Sequence, residues 1–234
     1  AVLSGPATLA GGTNVAFTGR GVVSIVASQA GDVNWNEAPD VTNVFRVRDS
    51  TLWTDYDGDK ISDLAVYDAA MNASWYIRKV NGDVLCWATN FGTAQMLPVP
   101  GDYDGDGAAD LTACDEQSGN WYARTLAGVN LMSGANWGIA GGVPVPGDYD
   151  GDGIFDLVLY DEAHGNWYAR TVAGQVLMVA TNWGYPGAVA VPGDYDGDGT
   201  CDLAVYDQQT GNWFVRTMQG DILTMGTNWG YPGA

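Results

Sequence analysis

The sequence predicts an all-β protein: a β-propeller-type array of four four-stranded blades, preceded by a small β segment at the N-terminus. An aspartate-rich motif recurs four times: Asp102, Asp148 and Asp194 lie 46 residues apart, and Asp55 lies 47 residues before the first of them. Each period contains short apolar runs separated by Gly turns, and segments with helical periodicity are missing from the sequence. Such a period with four short strands is typical of a propeller blade.

Residues 1–48 lack the aspartate motif and contain short predicted strands at 15–18, 22–27 and 41–47. Residues 3–9, 28–32 and 45–47 resemble the last half of a bacterial immunoglobulin-like domain, which implies part of a β-sandwich. Half of a sandwich cannot bury both faces of its sheet alone. We therefore expect either a domain cut by the sequence boundary or a cover provided by another chain or by the neighbouring repeats.

The rest of the chain divides into four periods, called repeats 1 to 4 below: about 49–96, 97–142, 143–188 and 189–234. Repeat 3 illustrates the predicted order of elements. Its strands are expected at 143–148, 156–161, 167–171 and 176–180, with the aspartate loop after the first and Gly turns between the others. The strands are apolar on both faces, as expected when each sheet lies between two others.

The repeated motif has the form D-x-D-x-D-G-x-x-D, and its positions are numbered 1 to 9 below. Four carboxylates this close repel one another at neutral pH unless a cation lies among them. Hard oxygen ligands on a Gly-rich turn suit Ca²⁺, which binds six to eight oxygens at roughly 2.3–2.6 Å, better than Mg²⁺, which requires a strict octahedron. An EF-hand loop ends in Glu at position 12 between helices, whereas here the last carboxylate comes three residues earlier and a strand-like run follows.

We expect calcium to be bound by the side chains at positions 1, 3, 5 and 9 and by the backbone carbonyl at position 7, with water completing the shell. The expected ligands are Asp55, Asp57, Asp59, Ile61 and Asp63 in repeat 1; Asp102, Asp104, Asp106, Ala108 and Asp110 in repeat 2; Asp148, Asp150, Asp152, Ile154 and Asp156 in repeat 3; and Asp194, Asp196, Asp198, Thr200 and Asp202 in repeat 4. This gives about four Ca²⁺ ions in the chain. The alternative is an acidic, solvated turn without metal, which four copies in step make less favourable.

The loop, its period and the Asp-Leu-Ala-Val-Tyr-Asp strand at 202–207 resemble FG-GAP/VCBS repeats, the family of integrin-type propeller blades, over roughly residues 50–234. The resemblance implies a β-propeller, Ca²⁺ in the hairpin loops, the same aspartate quartets as ligands, and an extracellular or cell-surface setting. Repeat 1 departs from the pattern at Lys60, which replaces the Gly of position 6. We expect that position to need a backbone conformation costly for a residue with a Cβ, so this site is predicted to be the weakest.

The composition limits the possible partners. The formal charge of −19 argues against nucleic acid, whose phosphates require Lys and Arg. Of the 28 acidic residues 16 lie in the four loops, so much of the acidity is explained by metal binding. No apolar run approaches the ~18 residues of a membrane span. Three cysteines at unrelated repeat positions are expected to be buried and apolar. Loops of this kind generally need the calcium levels found outside cells, so we expect a secreted or cell-surface protein.

An enzyme is not expected. The single histidine, His164, occupies a turn position filled by Ser118 and Thr210 in other repeats, and the sequence has no zinc-ligand spacing. The acidic residues follow the repeat, whereas an active site normally breaks such symmetry. We expect no catalytic residues, and a structural, adhesive or self-assembling role.

The expected partner is a second copy of the chain. Propellers have about four to eight blades, and an open array leaves a sheet edge and a blade face exposed. Two chains completing an eight-bladed ring or a head-to-tail filament would cover them. The alternative is a fragment of a longer array or of a larger surface protein or enzyme, whose further blades would do the same.

Two sets of aromatic residues also repeat. One begins the third strands, and the other lies in Asn-Trp-Gly segments, with Phe91 in repeat 1 and Trp137, Trp183 and Trp229 in the others. We expect both sets to pack between blades; the alternative is a carbohydrate-binding platform for a cell-surface glycan at the Asn-Trp-Gly tryptophans. Repeated Arg and Asp residues in adjacent strands are expected to pair with each other. They are Arg78, Arg124, Arg170 and Arg216, and Asp68, Asp115, Asp161 and Asp207.

Overall fold

The computed structural model describes residues 2–5, 7–10, 14–17, 21–34, 36–47 and 54–231. These residues form antiparallel β-sheets and turns and contain no helix, which confirms the all-β prediction. None of them therefore belongs to a helix with the length and apolarity needed to cross a bilayer. The chain divides into two compact units, Ala1–Ser50 and Thr51–Ala234.

The described residues of the N-terminal unit form five strands in two sheets. They are β1 (Val2–Ser4), β2 (Ala7–Ala10), β3 (Asn14–Phe17), β4 (Gly21–Gln29) and β5 (Ala38–Val47). One sheet has the order β1-β4-β5 and the other is the hairpin β2-β3. The long β4-β5 ladder runs from the pair Gly21 and Val47 to the pair Gln29 and Ala38, with an irregularity after Ala27. The immunoglobulin-like character of this unit stays a prediction.

The second unit contains one sheet per repeat. Repeat 1 has β6 (Leu64–Asp68), β7 (Ser74–Arg78) and β8 (Val84–Asn90); repeat 2 has β9 (Leu97–Pro98), β10 (Leu111–Asp115), β11 (Asn120–Arg124) and β12 (Asn130–Asn136); repeat 3 has β13 (Gly142–Pro144), β14 (Leu157–Asp161), β15 (Asn166–Arg170) and β16 (Val176–Asn182); repeat 4 has β17 (Ala188–Ala190), β18 (Leu203–Asp207), β19 (Asn212–Arg216) and β20 (Ile222–Asn228). Each sheet is an antiparallel meander in chain order.

Four strands per repeat are present in repeats 2, 3 and 4, as predicted. The sheet of repeat 1 has three strands among the described residues, and the place of its first strand falls on residues 48–53, outside them. No described strand of repeat 4 pairs with a strand of repeat 1. The structure therefore shows an array of small sheets, without a strand ladder that closes a ring.

Burial of the inner strands holds the sheets in place. Every residue of β14 and of β18 is buried, because both faces of these strands are covered. The tryptophan at the second residue of each third strand is buried at Trp75, Trp121 and Trp167. Its indole N–H donates to the backbone carbonyl 16 residues later, as from Trp121 to Trp137 at 2.8 Å. This bond anchors the Asn-Trp-Gly segment to the sheet.

The repeated arginines contact the preceding repeat. The Arg124 guanidinium lies 5.0 Å from the ring centre of Phe91, and Arg170 and Arg216 lie at 5.7 Å and 5.6 Å over the tryptophans of repeats 2 and 3. The repeated aspartates instead accept hydrogen bonds from their own turns, as Asp115 does from Gln117 and Ser118. In repeats 2 to 4 the expected Arg–Asp pairs are thus replaced by cation–π contacts between repeats and by turn caps within them.

Candidate metal centre

The four aspartate loops are closed in the same way. In repeats 2 to 4 the loop lies between the first and second strands. In all four repeats the N–H of position 9 donates to the carbonyl of the residue before position 1. This bond is 2.7 Å from Asp110 to Gly101 and 2.7 Å from Asp63 to Thr54. Gly101 has no room for a side chain, because a Cβ there would lie 2.1 Å from the Phe155 ring of repeat 3. In repeat 2 the Gly before position 1 therefore follows from close packing against the next repeat.

The position 1 carboxylate organises the backbone of its own loop. Both of its oxygens accept hydrogen bonds, one from the N–H of position 4 and one from the N–H of position 6. Asp102 accepts from Gly105 at 2.6 Å and from Gly107 at 2.8 Å. The same two bonds are present in the other repeats, with Asp55, Asp148 and Asp194 as acceptors.

The position 9 carboxylate is buried in every loop. One oxygen accepts the N–H of the position 2 tyrosine, at 2.8 Å in all four repeats. In repeats 2 to 4 that tyrosine is itself held by its hydroxyl, which donates to the carbonyl four residues earlier, as from Tyr149 to Val145 at 2.9 Å. The tyrosine therefore connects the loop to the first strand and fixes the orientation of the carboxylate.

Three aspartates converge in each loop. Those at positions 1, 3 and 9 each offer a carboxylate oxygen, and the three oxygens lie within 4.8 Å of one another. The four groups are Asp55, Asp57 and Asp63; Asp102, Asp104 and Asp110; Asp148, Asp150 and Asp156; and Asp194, Asp196 and Asp202. Each group could hold one metal ion, and its oxygen-only donor set fits a hard cation such as Ca²⁺.

The position 5 aspartates lie outside these groups. One oxygen of each accepts the N–H of position 7, at 2.8 Å in repeats 2 and 3. Their predicted role as ligands and that of the position 7 carbonyls stay predictions. The residues concerned are Asp59, Asp106, Asp152 and Asp198 at position 5, and Ile61, Ala108, Ile154 and Thr200 at position 7.

The electrostatics of the loops favour neutralisation. Burial raises the pKa of Asp110 to about 7, the other aspartates of its loop add to the rise, and the hydrogen bond from Tyr103 opposes it. Burial likewise raises the pKa of Asp156 to about 8. The pKa of Asp63 and of Asp202 is raised for the same reason. Because the charged form of these carboxylates is disfavoured, a cation at the centre of the loop would stabilise it.

Repeat 1 carries positive charge in and beside its loop. Lys60 at position 6 has a positive φ of 68°, as the Gly residues at this position do in the other repeats. Lys79, on the turn after β7, forms ion pairs with Asp57 and with Asp59, the latter at 2.8 Å. These contacts raise the pKa of Lys79, and the lysine holds the pKa of Asp59 below its ordinary value. The lysine pair was missed in the sequence, where the signal is a Lys at a position that is Thr in every other repeat.

Successive loops are joined by one backbone hydrogen bond each. The N–H of position 8 donates to the carbonyl of the position 1 aspartate in the preceding repeat: Ala109 to Asp55 at 2.6 Å, Phe155 to Asp102 at 2.7 Å, and Cys201 to Asp148 at 2.7 Å. The residue that supplies a carboxylate to one candidate site thus receives the next loop at its carbonyl. Sequence reasoning missed this link, because nothing in a local motif identifies an acceptor in another repeat.

The Asn-Trp-Gly tryptophans differ in exposure. Trp137 and Trp183 are half-buried, each with an arginine of the next repeat over its ring. Trp229 is 83% exposed. A cavity of about 430 Å³ lies beside Trp183 and is lined by Tyr185, Phe214 and Arg216 among others. The single histidine, His164, is bonded through Nδ1 to the carboxylate of Asp161 at 2.7 Å on the hairpin turn.

No protein-family model, no curated protein and no solved structure matches the chain.

Proposed function

We propose that the chain is an extracellular or cell-surface calcium-binding repeat protein of the β-propeller type, with a structural, adhesive or self-assembling role. The supporting observation is that the position 1 aspartate serves two loops at once. Its carboxylate belongs to one candidate metal site, while its carbonyl accepts the N–H of the following loop. A cation that fixes Asp102, for example, also fixes the acceptor for Phe155. Metal binding would therefore stabilise the stacking of repeats as well as each loop.

The chain's own residues prepare the site. Backbone N–H groups orient the position 1 carboxylate, and the position 2 tyrosine orients that of position 9. The bound Ca²⁺ would supply the double positive charge that three or four converging carboxylates lack. Because the carboxylates are already oriented, little ordering would be needed when the ion binds. The likeness of the loops to FG-GAP/VCBS repeats supports the same role.

We further propose that a second copy of the chain is the partner. Leu64 in repeat 1 is 54% exposed, whereas its equivalents Leu111, Leu157 and Leu203 are fully buried by neighbouring sheets. At the other end of the array Trp229 is exposed, while the equivalent rings are covered by an arginine. If repeat 1 of one copy packed on repeat 4 of another as successive repeats pack within the chain, Arg78 of the first copy would lie over Trp229 of the second. This geometry favours head-to-tail association, in a ring or a filament.

A carbohydrate-binding module is the second candidate. The exposed Trp229 and the cavity beside Trp183 favour it, since aromatic faces next to amide groups suit sugar rings. Against it, Arg216 lies over the Trp183 ring and leaves less of that face free. Binding of the protein to an array of glycans, lost on removal of calcium, would favour this candidate. Calcium-dependent association without glycan binding would favour a structural role.

Calcium titration of the metal-free protein tests the main proposal. We expect heat of binding in calorimetry and a rise in melting temperature, because ligand at 100 times its Kd stabilises the folded state by about 2.7 kcal/mol per site. Asp148→Asn should remove one site. Glu162→Gln, which removes the same charge from an exposed turn outside the loops, should leave uptake unchanged. Absence of both uptake and stabilisation in the unaltered protein would contradict the proposal.

A further inference from the structure

Both lysines of the 234-residue chain are found at the loop of repeat 1. Lys60 occupies position 6 of the loop, and Lys79 follows the third strand of the same repeat. The equivalent residues of the other repeats are Gly at position 6 and Thr after the third strand. The four carboxylates of this loop are thus accompanied by two positive charges that the other loops lack.

The Lys79 ammonium group binds one of the converging carboxylates and the position 5 carboxylate of the same loop. It lies 2.8 Å from Oδ2 of Asp59 and also pairs with Oδ2 of Asp57. Asp57 occupies position 3 and belongs to the group of converging aspartates with Asp55 and Asp63. An ammonium ion offers three N–H donors and a full positive charge, so it can satisfy carboxylate oxygens as a cation does.

The turn that carries Lys79 differs from the equivalent turns in the side-chain oxygen that accepts one backbone N–H. In repeat 3, Thr171 closes the turn with backbone bonds and its hydroxyl accepts the N–H of Gln175 at 3.1 Å. In repeat 1 the backbone bonds are retained, with the Lys79 N–H donating to the carbonyl of Asp83 at 2.8 Å. Lys79 has no hydroxyl, and Oδ1 of Asn81 instead accepts the Asp83 N–H, at 3.0 Å. The turn therefore forms without a Thr hydroxyl at position 79, and the Lys79 side chain reaches the loop.

The loop of repeat 1 has the same backbone hydrogen bonds to its position 1 carboxylate as the other three loops. Asp55 accepts the N–H of Gly58 and that of Lys60, at 2.8 Å and 2.7 Å, as the position 1 aspartates do elsewhere. Its carbonyl also accepts the N–H of Ala109 from repeat 2. The link to the next repeat is therefore formed at a loop where an internal ammonium group already binds two of the four carboxylates.

We propose that the Lys79 ammonium takes the role in repeat 1 that calcium takes in repeats 2 to 4, so that the array binds three calcium ions and keeps its first loop in place without metal. This inference depends on the proposed calcium binding, of which it fixes the number and the location. A calcium ion entering the loop of repeat 1 would have to displace Lys79 from Asp57. When calcium is scarce, the loop of repeat 1 would remain formed while the other three lose their ions.

Counting bound calcium tests the proposal. The metal-free full chain is equilibrated with calcium and bound metal is measured per chain, with calorimetry on the same samples. We expect three ions for the unaltered protein and four for Lys79→Thr, which restores the residue of the other repeats. Lys79→Arg, which keeps the charge, should still bind three. Circular dichroism of each metal-free variant identifies any that fails to fold; for such a variant, Lys79→Met serves as a second neutral replacement.

The outcomes separate the two proposals. Four ions in the unaltered protein would overturn the role of Lys79 and leave calcium binding intact. Three ions in both the unaltered protein and a folded Lys79→Thr variant would equally overturn it. No bound calcium in any variant would instead reject the proposed function itself. An increase from three to four on loss of the Lys79 charge, and not on its replacement by Arg, is the result that supports the inference.

Discussion

The buried position 9 aspartates carry the largest electrostatic cost of the metal-free loops. Asp110 and Asp156 have oxygens close to two other carboxylates, and burial raises their pKa to about 7 and about 8 from an ordinary value of 3.8. A sequence motif can show that four aspartates are close together. It cannot show which of them is buried, because that depends on how the folded strands and side chains cover the loop; even in the last repeat, Asp202 is buried.

A pH dependence follows from these pKa values. Between pH 4 and pH 8 the folded metal-free protein retains protons on Asp110 and Asp156 that the unfolded chain has lost, so its stability should fall as pH rises through this window. Calcium must displace the same protons, so its affinity should increase from pH 5 to pH 8. Melting temperatures of chelator-treated and calcium-loaded protein across this range provide the measurement.

The control for this prediction is the calcium-loaded sample, in which the fall of the melting temperature should be abolished or reversed. A metal-free melting temperature that stays level or rises between pH 5 and pH 8 would show that the position 9 carboxylates are ionised in the fold without help. In that case the cation would not be needed to offset their burial.

At the scale of the element, the strands agree closely with the sequence, and the differences have local causes. In repeat 3 the second strand was expected at 156–161 and is Leu157–Asp161. The first strand was expected at 143–148 and is only Gly142–Pro144. Pro146 has no N–H to donate, so the continuous ladder is interrupted there; beyond it only the bridge between Gly147 and Asp156 pairs the two segments. Irregular pairing of β15 with β16 was not predicted, since alternation of residue types does not reveal an inserted residue.

The hairpin between the second and third strands depends on glycine. Gly119 has a φ of 71°, and a Cβ there would lie 2.7 Å from the Cα of Gly138. Gly128 also has a positive φ, of 91°, but no atom lies within 4 Å of its Cβ position. Each residue carries the same kind of backbone cost, and only Gly119 adds a backbone collision.

We therefore expect Gly128→Ala to destabilise the protein by about 1 kcal/mol, the cost of an L-residue in the left-handed region. Gly119→Ala should cost roughly 3 kcal/mol or more, because the hairpin and the Asn-Trp-Gly segment must separate. Chemical denaturation of the calcium-loaded proteins measures both free energies. Equal losses in the two variants would show that the close approach of Gly119 and Gly138 does not constrain the fold.

At the scale of the whole molecule, the array was predictable and its completion was not. The spacing of Asp102, Asp148 and Asp194 predicts the number of repeats and one loop per repeat, because each period is a local pattern. Closure of a ring depends on contacts between remote sheets, which no local pattern records. The described strands show three four-stranded sheets and one of three strands, without a ladder between the first and the last.

Association of copies through the two ends of the array has a direct test. Val66 in repeat 1 is 60% exposed, whereas the equivalent Val205 is buried; Val179, on the last strand of repeat 3, is 65% exposed. We expect the calcium-loaded protein to sediment as a species larger than the 24.7 kDa chain. Val66→Asp should reduce it to the single chain, because a charge would be buried between copies, and Val179→Asp should not. A single-chain mass for the unaltered protein would contradict head-to-tail association.

The peptide hydrogen bond between consecutive loops also bears on how such an array can change in length. Every joint uses main-chain atoms at the same two loop positions, from Ala109 to Asp55, from Phe155 to Asp102 and from Cys201 to Asp148, whatever side chains stand there. Duplication or deletion of one whole period would therefore regenerate an identical joint without any compensating substitution. Evolution can lengthen or shorten such a protein by gene-level copying alone, and each added sheet brings its own means of attachment.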